Sequence, residues 1–191
     1  KKTKTGFSIL VLTNDNEYTT YNCRYAIFAT GGIGRVYEYT TNSAIATGDG
    51  ITIAHELGAE IKNLSYIQFH PTGFNNKHTR ETFLISESVR GEGAYLKNCN
   101  GERFMQNYND RLELAPRDVV SHAIMAEAKK TGSDKFYLDI THKDPEFVRN
   151  RFPMINEKLL EAGYDLTKDM IPIFPCHHYL MGGINVDTYA R

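Results

Sequence analysis

Four short clusters concentrate cations, imidazoles and flexible glycines: Gln68-Phe69-His70-Pro71-Thr72, Glu87-Ser88-Val89-Arg90-Gly91-Glu92-Gly93, Ala115-Pro116-Arg117-Asp118 and His177-His178-Tyr179-Leu180-Met181-Gly182-Gly183. Arg117 follows Pro116 at a predicted helix start, where the macrodipole is positive and another cation is locally unfavourable. A guanidinium there either pairs with Asp118 in solvent or converges with the dipole on a bound anion; its planar fork matches a carboxylate. His70, between Phe69 and Pro71, is predicted on extended backbone with its side chain fixed. His178 precedes Gly182-Gly183. A lone histidine is more often structural, but two in rigid, proline- or glycine-flanked segments point to ligand contact. Glu87, Arg90 and Glu92 read either as a surface charge run or as a loop shaped for contacts, since Gly91 and Gly93 suit a helix poorly. Ser86 offers a hydroxyl able to donate to a carboxylate. Chelation of a metal by His177 and His178 is disfavoured, because neighbours on an extended segment point to opposite faces and no Cys or acidic ligand pattern accompanies them.

Two glycine-rich turns add a second chemistry. Ala29-Thr30-Gly31-Gly32 lets backbone approach a ligand closely, and Thr47-Gly48-Asp49-Gly50 sets free N–H groups at a helix start, a ready anion site. Each alone is weak. Two within one αβ unit, after an apolar segment, raise the case for a cofactor, although the G-x-G-x-x-G fingerprint is absent.

The elements that must carry these residues follow from pattern. Phe7–Leu12 and Glu17–Tyr21 read as paired strands around an Asp15-Asn16 turn. Tyr25–Thr30 reads as a strand buried on both faces. A helix is expected over Ile51–Leu57, capped by Thr47 or Asp49 and closed by Gly58. From Asn63 onward polar loops, aromatics and histidines replace the αβ texture, which places a domain boundary near there. Asn100-Gly101 signals a hairpin between Tyr95–Lys97 and Arg103–Met105. A helix opened by Pro116 runs to Ala128 and stops by Gly132; Phe136–Ile140 is a strand; Asp144-Pro145 caps a helix that Pro153 interrupts or restarts. Ile171–Pro175 must be extended.

The chain has 191 residues, 41% hydrophobic and 24% charged, with a net charge of −1. That composition suits a folded globular chain and carries no nucleic-acid signature. No apolar run approaches the roughly 20 residues of a membrane span. Cys23, Cys99 and Cys176 are few, distant and odd in number, which argues against a disulfide or zinc framework and for a reducing, cytoplasmic setting.

Taken together and in order, Ala29–Gly32, Thr47–Gly50, Gln68–Thr72, Arg90–Gly93, Gly101–Met105, Pro116–Asp118 and His178–Gly183 resemble the motifs of the succinate dehydrogenase/fumarate reductase flavoprotein family over almost the whole chain. Leu114–Val120, Tyr137–His142 and Phe152–Ile155 look like its L-aspartate oxidase branch. The resemblance implies an α+β fold: the capping domain of a fumarate reductase-like flavoprotein with the flanking part of an FAD-binding α/β domain. Residues 1–62 would close the first FAD-binding segment, 63–180 would form the cap, and 181–191 would begin the return to the FAD-binding domain. FAD is the implied cofactor, its site incomplete here, with the glycine fingerprint expected upstream and a further FAD-binding segment downstream. Ala29, Thr30, Gly31, Gly32, Thr47, Gly48 and Asp49 would contact it. Arg117, Glu87, His70 and His178 would be catalytic, and His70, Ser86, Arg117 and His178 would hold substrate. The implied reaction oxidises L-aspartate to iminoaspartate, with fumarate or oxygen as acceptor, feeding quinolinate and NAD synthesis. The alternatives are a succinate dehydrogenase or fumarate reductase flavoprotein, and an isolated, non-catalytic capping module. Implied partners are the small dicarboxylate and the remainder of the FAD domain; neither nucleic acid nor a membrane span is expected. The chain departs from the family's pattern at Ser86, more often threonine, at His177, usually a small residue, and at Met181, often cysteine in the aspartate oxidase branch.

Overall fold

β-branched and apolar residues over Phe7–Leu12 (β1) and Tyr18–Cys23 (β2) give an antiparallel ribbon, with Phe7 opposite Cys23 and Leu12 opposite Tyr18. Asn16 turns between them at φ 59, a conformation asparagine tolerates well. The structure is a computed structural model that describes residues 1–76 and 80–189. Residues 190 and 191 of the segment expected to return to the FAD-binding domain lie outside the described residues.

The strand expected over Tyr25–Thr30 is absent. No described strand pairs with this segment, and Ile27 is 92% exposed. Pairing defines a strand, so an apolar run without a ladder partner stays irregular and bare. Asp49–Glu56 (α1) forms as expected and ends before Gly58, at φ 91. Its cap differs: Gly48 at φ 86 is the N-cap, and neither Thr47 nor Asp49 supplies a side-chain cap.

After Ile61–Lys62 (β3), the chain enters Ile67–Phe74 (β4). A short helix, Glu87–Gly91 (α2), stands where a loop was expected. Ser86 Oγ accepts from the Ser88 N–H and caps it, Glu87 sits favourably in its first turn, and the glycines fall at its end rather than its middle. Tyr95–Lys97 (β5) reaches the Asn100-Gly101 turn, with Gly101 at φ 77. The return strand reduces to one bridge, Lys97 to Arg103, because Phe104 and Met105 both turn inward and are fully buried instead of alternating. Arg117–Thr131 (α3) stops at Gly132, φ 66. Phe136–Asp139 (β6) precedes Pro145–Arg151 (α4), capped by the Asp144 carboxylate, and Pro153–Glu161 (α5), restarted by its proline. Ile171–Leu180 (β7) and Gly183–Ile184 (β8) complete the order.

The main sheet runs β4-β7-β6-β5 and is antiparallel throughout. α3 packs across β4, and Ser121 Oγ donates to the Phe69 carbonyl at 3.1 Å. The core lies between Phe74 and Ile173, with Leu96, Phe104, Ile124, Phe136, Leu138, Leu159 and Ile171 fully buried. Residues 1–62 add only Ala46 and Ala54 as buried apolar groups. Among the described residues no helix is long and apolar enough to cross a membrane.

The chain leaves the β1–α1 segment and returns toward it along adjacent paths, because β3 pairs antiparallel with β8. A Cβ at Gly182 would overlap the carbonyl groups of Asn63 and Lys62. Both are backbone and cannot swing aside. Gly182→Ala is therefore expected to destabilise the chain by about 1 to 3 kcal/mol, read as a lower urea midpoint; an unchanged midpoint would show that the crossing accommodates a methyl group.

Candidate active site

Two register shifts in the β4–β7 pair build the centre of the site. Gln68 faces Tyr179 but Phe69 faces His177, so His178 has no opposite residue; His70 faces Cys176 but Gly73 faces Phe174, so Pro71 and Thr72 share Pro175. Such bulges re-aim side chains, and they let proline sit inside a sheet pair without an orphaned ladder position. The two adjacent histidines separate accordingly. His177 is buried, stacks on Tyr37 at 4.6 Å and lies edge-on to Phe69. His178 turns to His70, with ring centroids 5.4 Å apart.

His70 is fully buried. Its Nδ1 accepts from the Thr72 backbone N–H at 3.3 Å, while Nε2 has no partner among the described residues. Burial first, then the charges of Arg117 and Arg90, push its pKa down to about 3. His178 is held by the Thr41 hydroxyl, 2.7 Å from Nδ1. Burial and then Arg117 lower its pKa too. Opposite His70 in the ladder, Cys176 Sγ points at the His70 carbonyl at 3.8 Å, and burial pushes its thiol up to about 12.

Arg117 does not pair with Asp118. Its Nε donates to Glu87 Oε2 at 2.7 Å and its Nη1 to Gln68 Oε1 at 2.9 Å. Nη2 makes no hydrogen bond among the described residues. Glu87 Oε2 also lies 3.6 Å from Arg90 Nη2. The Arg117 hydrogen bond, outweighing burial, holds the Glu87 carboxyl below its ordinary value. Arg90 is buried, its Nη1 donates to the Glu113 carbonyl, and burial lowers its pKa. The Glu113 carboxylate is gripped by Arg103 at 2.9 and 2.6 Å and by the Leu96 N–H at 3.1 Å. The result is a line of alternating charge, Arg117–Glu87–Arg90, that ends on a buried guanidinium.

The glycine turns also meet. A Cβ at Gly50 would overlap the Thr30 side chain, and one at Gly48 would press on Ile33. Gly31, at φ 75, has open space where a side chain would go. Ala29, Thr30, Gly31, Thr47 and Asp49 are exposed, and Gly32 and Gly48 half-buried. This is an accessible backbone cradle beside a helix start, which fits the phosphates and sugar hydroxyls of a dinucleotide.

Of the residues expected to bind substrate or act on it, His70, His178, Arg117 and Glu87 come together. Ser86 lies directly before Glu87, but its Oγ caps α2 and shares a 2.9 Å hydrogen bond with Ser88 Oγ. Gln68, Arg90, Thr41 and Thr72 were missed as site residues. Gln68 and Arg90 lay inside the quoted clusters, yet only the fold reveals that both touch the Arg117–Glu87 pair. Thr41 carried no signal at all. A groove lined by Phe74, Lys135, Tyr137, Glu161 and Pro172 contains none of these groups; the chemistry sits on the β4–β7 pair and its flanking helices. Among the described residues no cluster suited to a metal ion occurs.

The His70 shift has a definite sign. A neutral histidine is retained in the fold while the unfolded chain protonates near 6.5, so stability falls as pH drops from about 6.5 toward about 3. His70 alone should remove about 1.4 kcal/mol per unit across that window. His70→Asn should flatten the slope of stability against pH measured by urea unfolding; an unaltered slope would assign the acid sensitivity elsewhere.

Comparison with known proteins identifies the family. Residues 4–191 match the family model described as FAD binding domain. The chain is 51% identical over 172 residues to L-aspartate oxidase of Yersinia pestis, covering 90% of this chain and 32% of that protein. It is 49% identical over 178 residues to that of Clostridium perfringens, covering 93% and 39%. Among solved structures, an E. coli quinol fumarate reductase superposes with a TM-score of 0.76 at 38% identity, covering 83% of this chain and 30% of the other. The chain thus spans about a third of the length of the curated relatives it matches. With a family match along nearly all of its length, this chain belongs to the FAD-binding domain family.

Proposed function

We propose that this chain is the substrate cap and adjoining FAD-binding segment of an L-aspartate oxidase, working as part of a longer protein, with 1–62 and 181–191 belonging to the FAD side and 63–180 to the cap. One observation carries the reading: the buried His70 Nε2 has no partner among the described residues and lies in a cluster with His178 and Arg117. A buried polar atom without a partner costs free energy unless a ligand meets it. Neutral imidazoles flanking a guanidinium suit a small dicarboxylate. The similarity to L-aspartate oxidases over nine-tenths of the chain supports aspartate within that class.

In this reading L-aspartate loses hydride from C2 and a proton from nitrogen, giving the imine. Bound FAD supplies the hydride acceptor, held in part by Ala29 to Gly32, Thr47, Gly48 and Asp49. His70, His178 and Arg117 hold the carboxylates, with Ser86 adjoining, so that reacting atoms are oriented and water is kept out. Arginine is a poor base. Glu87, ionised, hydrogen-bonded at 2.7 Å to the Arg117 Nε and balanced by Arg90, is the carboxylate at this site that receives the proton the substrate nitrogen gives up. The setting is cytoplasmic, fumarate or oxygen is the final acceptor, and the product feeds quinolinate and NAD synthesis. Without the rest of the FAD domain the chain is inactive.

The second reading, a succinate dehydrogenase or fumarate reductase flavoprotein, rests on the 38% identity to the fumarate reductase and on Met181. Turnover of the full-length enzyme on L-aspartate and on succinate separates the two: aspartate oxidation is expected, and activity on succinate alone would reverse the choice. In the same enzyme, Arg117→Lys should lower kcat by about a hundredfold or more with the fold intact, because a lysine cannot reach Glu87, Gln68 and a carboxylate at once. Near-wild-type turnover would reduce Arg117 to an ion-pair residue.

A further inference from the structure

His178 is held from outside the main sheet. The Thr41 N–H donates to the His177 carbonyl at 3.0 Å, and Asn42 Nδ2 donates to the His178 carbonyl at 2.9 Å, so residues 40–42 lie clasped along β7. Inside this clasp the Thr41 hydroxyl meets His178 Nδ1 at 2.7 Å. We infer that Thr41 is a positioning residue: its O–H donates to Nδ1, so the neutral His178 ring carries its proton on Nε2 and presents that N–H to a substrate carboxylate. The carboxylate part of this inference rests on the dicarboxylate reading given above.

The direction of one hydrogen bond decides the matter. The Thr41 hydroxyl has a single proton and two acceptors in reach, His178 Nδ1 at 2.7 Å and the His177 carbonyl at 3.5 Å. The longer contact is at the limit of a hydrogen bond. That carbonyl already accepts the Thr41 N–H and lies 3.2 Å from Thr40 Oγ1. The proton therefore goes to Nδ1. In the opposite arrangement Nδ1–H would donate to Oγ1, and Nε2 would turn a lone pair toward any incoming carboxylate. Nε2 of His178 makes no hydrogen bond among the described residues, so it is free to act as donor.

His70 supplies an internal reference. Its Nδ1 accepts from a backbone N–H, which can only donate, so a neutral His70 must also carry its proton on Nε2. The two rings then offer the same kind of donor beside Arg117, and the site gathers three donor groups with one full positive charge. One tautomer is set by backbone and is immune to substitution. The other depends on one hydroxyl contributed by the segment that precedes α1.

The test uses full-length enzyme carrying 15N-labelled histidine, in which long-range proton–nitrogen spectra distinguish the two tautomers. His178 should be Nε2-protonated in the wild type, shift toward the Nδ1-protonated form in Thr41→Val, and return in Thr41→Ser. KM for L-aspartate should rise about tenfold or more in Thr41→Val, with a smaller fall in kcat, and recover in Thr41→Ser. His178 remaining Nε2-protonated in Thr41→Val would overturn the inference whatever the substrate is. A tautomer shift with no rise in KM would overturn the assignment of that proton to substrate. An unaltered enzyme that turns over no dicarboxylate would sink the functional reading instead, and the spectra would still decide what Thr41 does.

Discussion

The pairing of β4 with β7 is the constraint on which the rest depends. In an unbroken ladder, side chains alternate strictly, and a run such as His177-His178 would divide between two faces without any choice of aim. Two offsets in register change that. One frees His178 from an opposite residue and turns it to His70; the other makes room for Pro71 and Pro175, which could not donate to a ladder. The prolines thus mark the place where the sheet gives up hydrogen bonds, and the imidazoles use the freedom gained.

Around that pair, charge is arranged in depth. Arg117 starts α3, where the helix dipole opposes it, yet two acceptors from other elements hold it. Its neighbour Glu87 stands between two guanidiniums, one half-exposed and one buried. Arg90 in turn is braced by the Glu113 carbonyl, and Glu113 by Arg103. A buried guanidinium is costly unless its partners are fixed; Arg90 has one hydrogen bond, through Nη1, and an ion pair with Glu87 at 3.6 Å, while Nε and Nη2 have no hydrogen-bond partner among the described residues. The arrangement resists local rearrangement because loosening one member would leave its neighbour's charge uncompensated.

Much of this was legible in the amino-acid order, for physical reasons. Helix ends at Gly58 and Gly132, the restart at Pro153 and the Asp144 cap are short-range effects, decided within a few residues. The convergence of His70, Arg117, Glu87 and His178 was legible only because unusual residue types sat beside proline or glycine four times. Tertiary competition hid the rest. Phe104 and Met105 left their hairpin because the core offered more burial than a strand edge. Ser86 spent its oxygen on a helix cap that glycine-rich surroundings disguised. Tyr25–Thr30 has the composition of an interior strand, but pairing is a property of neighbours and composition cannot supply it. Thr41 lies in an unremarkable polar stretch whose importance arises from a contact 137 positions away.

Cys176, opposite His70 in the β4–β7 pair, is buried with its thiol pushed up to about 12. Only the thiolate attacks alkylating reagents or peroxide, and at neutral pH roughly one part in 10⁵ of such a thiol is ionised. The Cys176 sulfur is chemically silent, whereas Cys23 and Cys99 are both partly exposed. A maleimide dye can accordingly be attached at those two positions while Cys176 stays untouched, which gives optical reporters on the ribbon and on the Asn100-Gly101 turn.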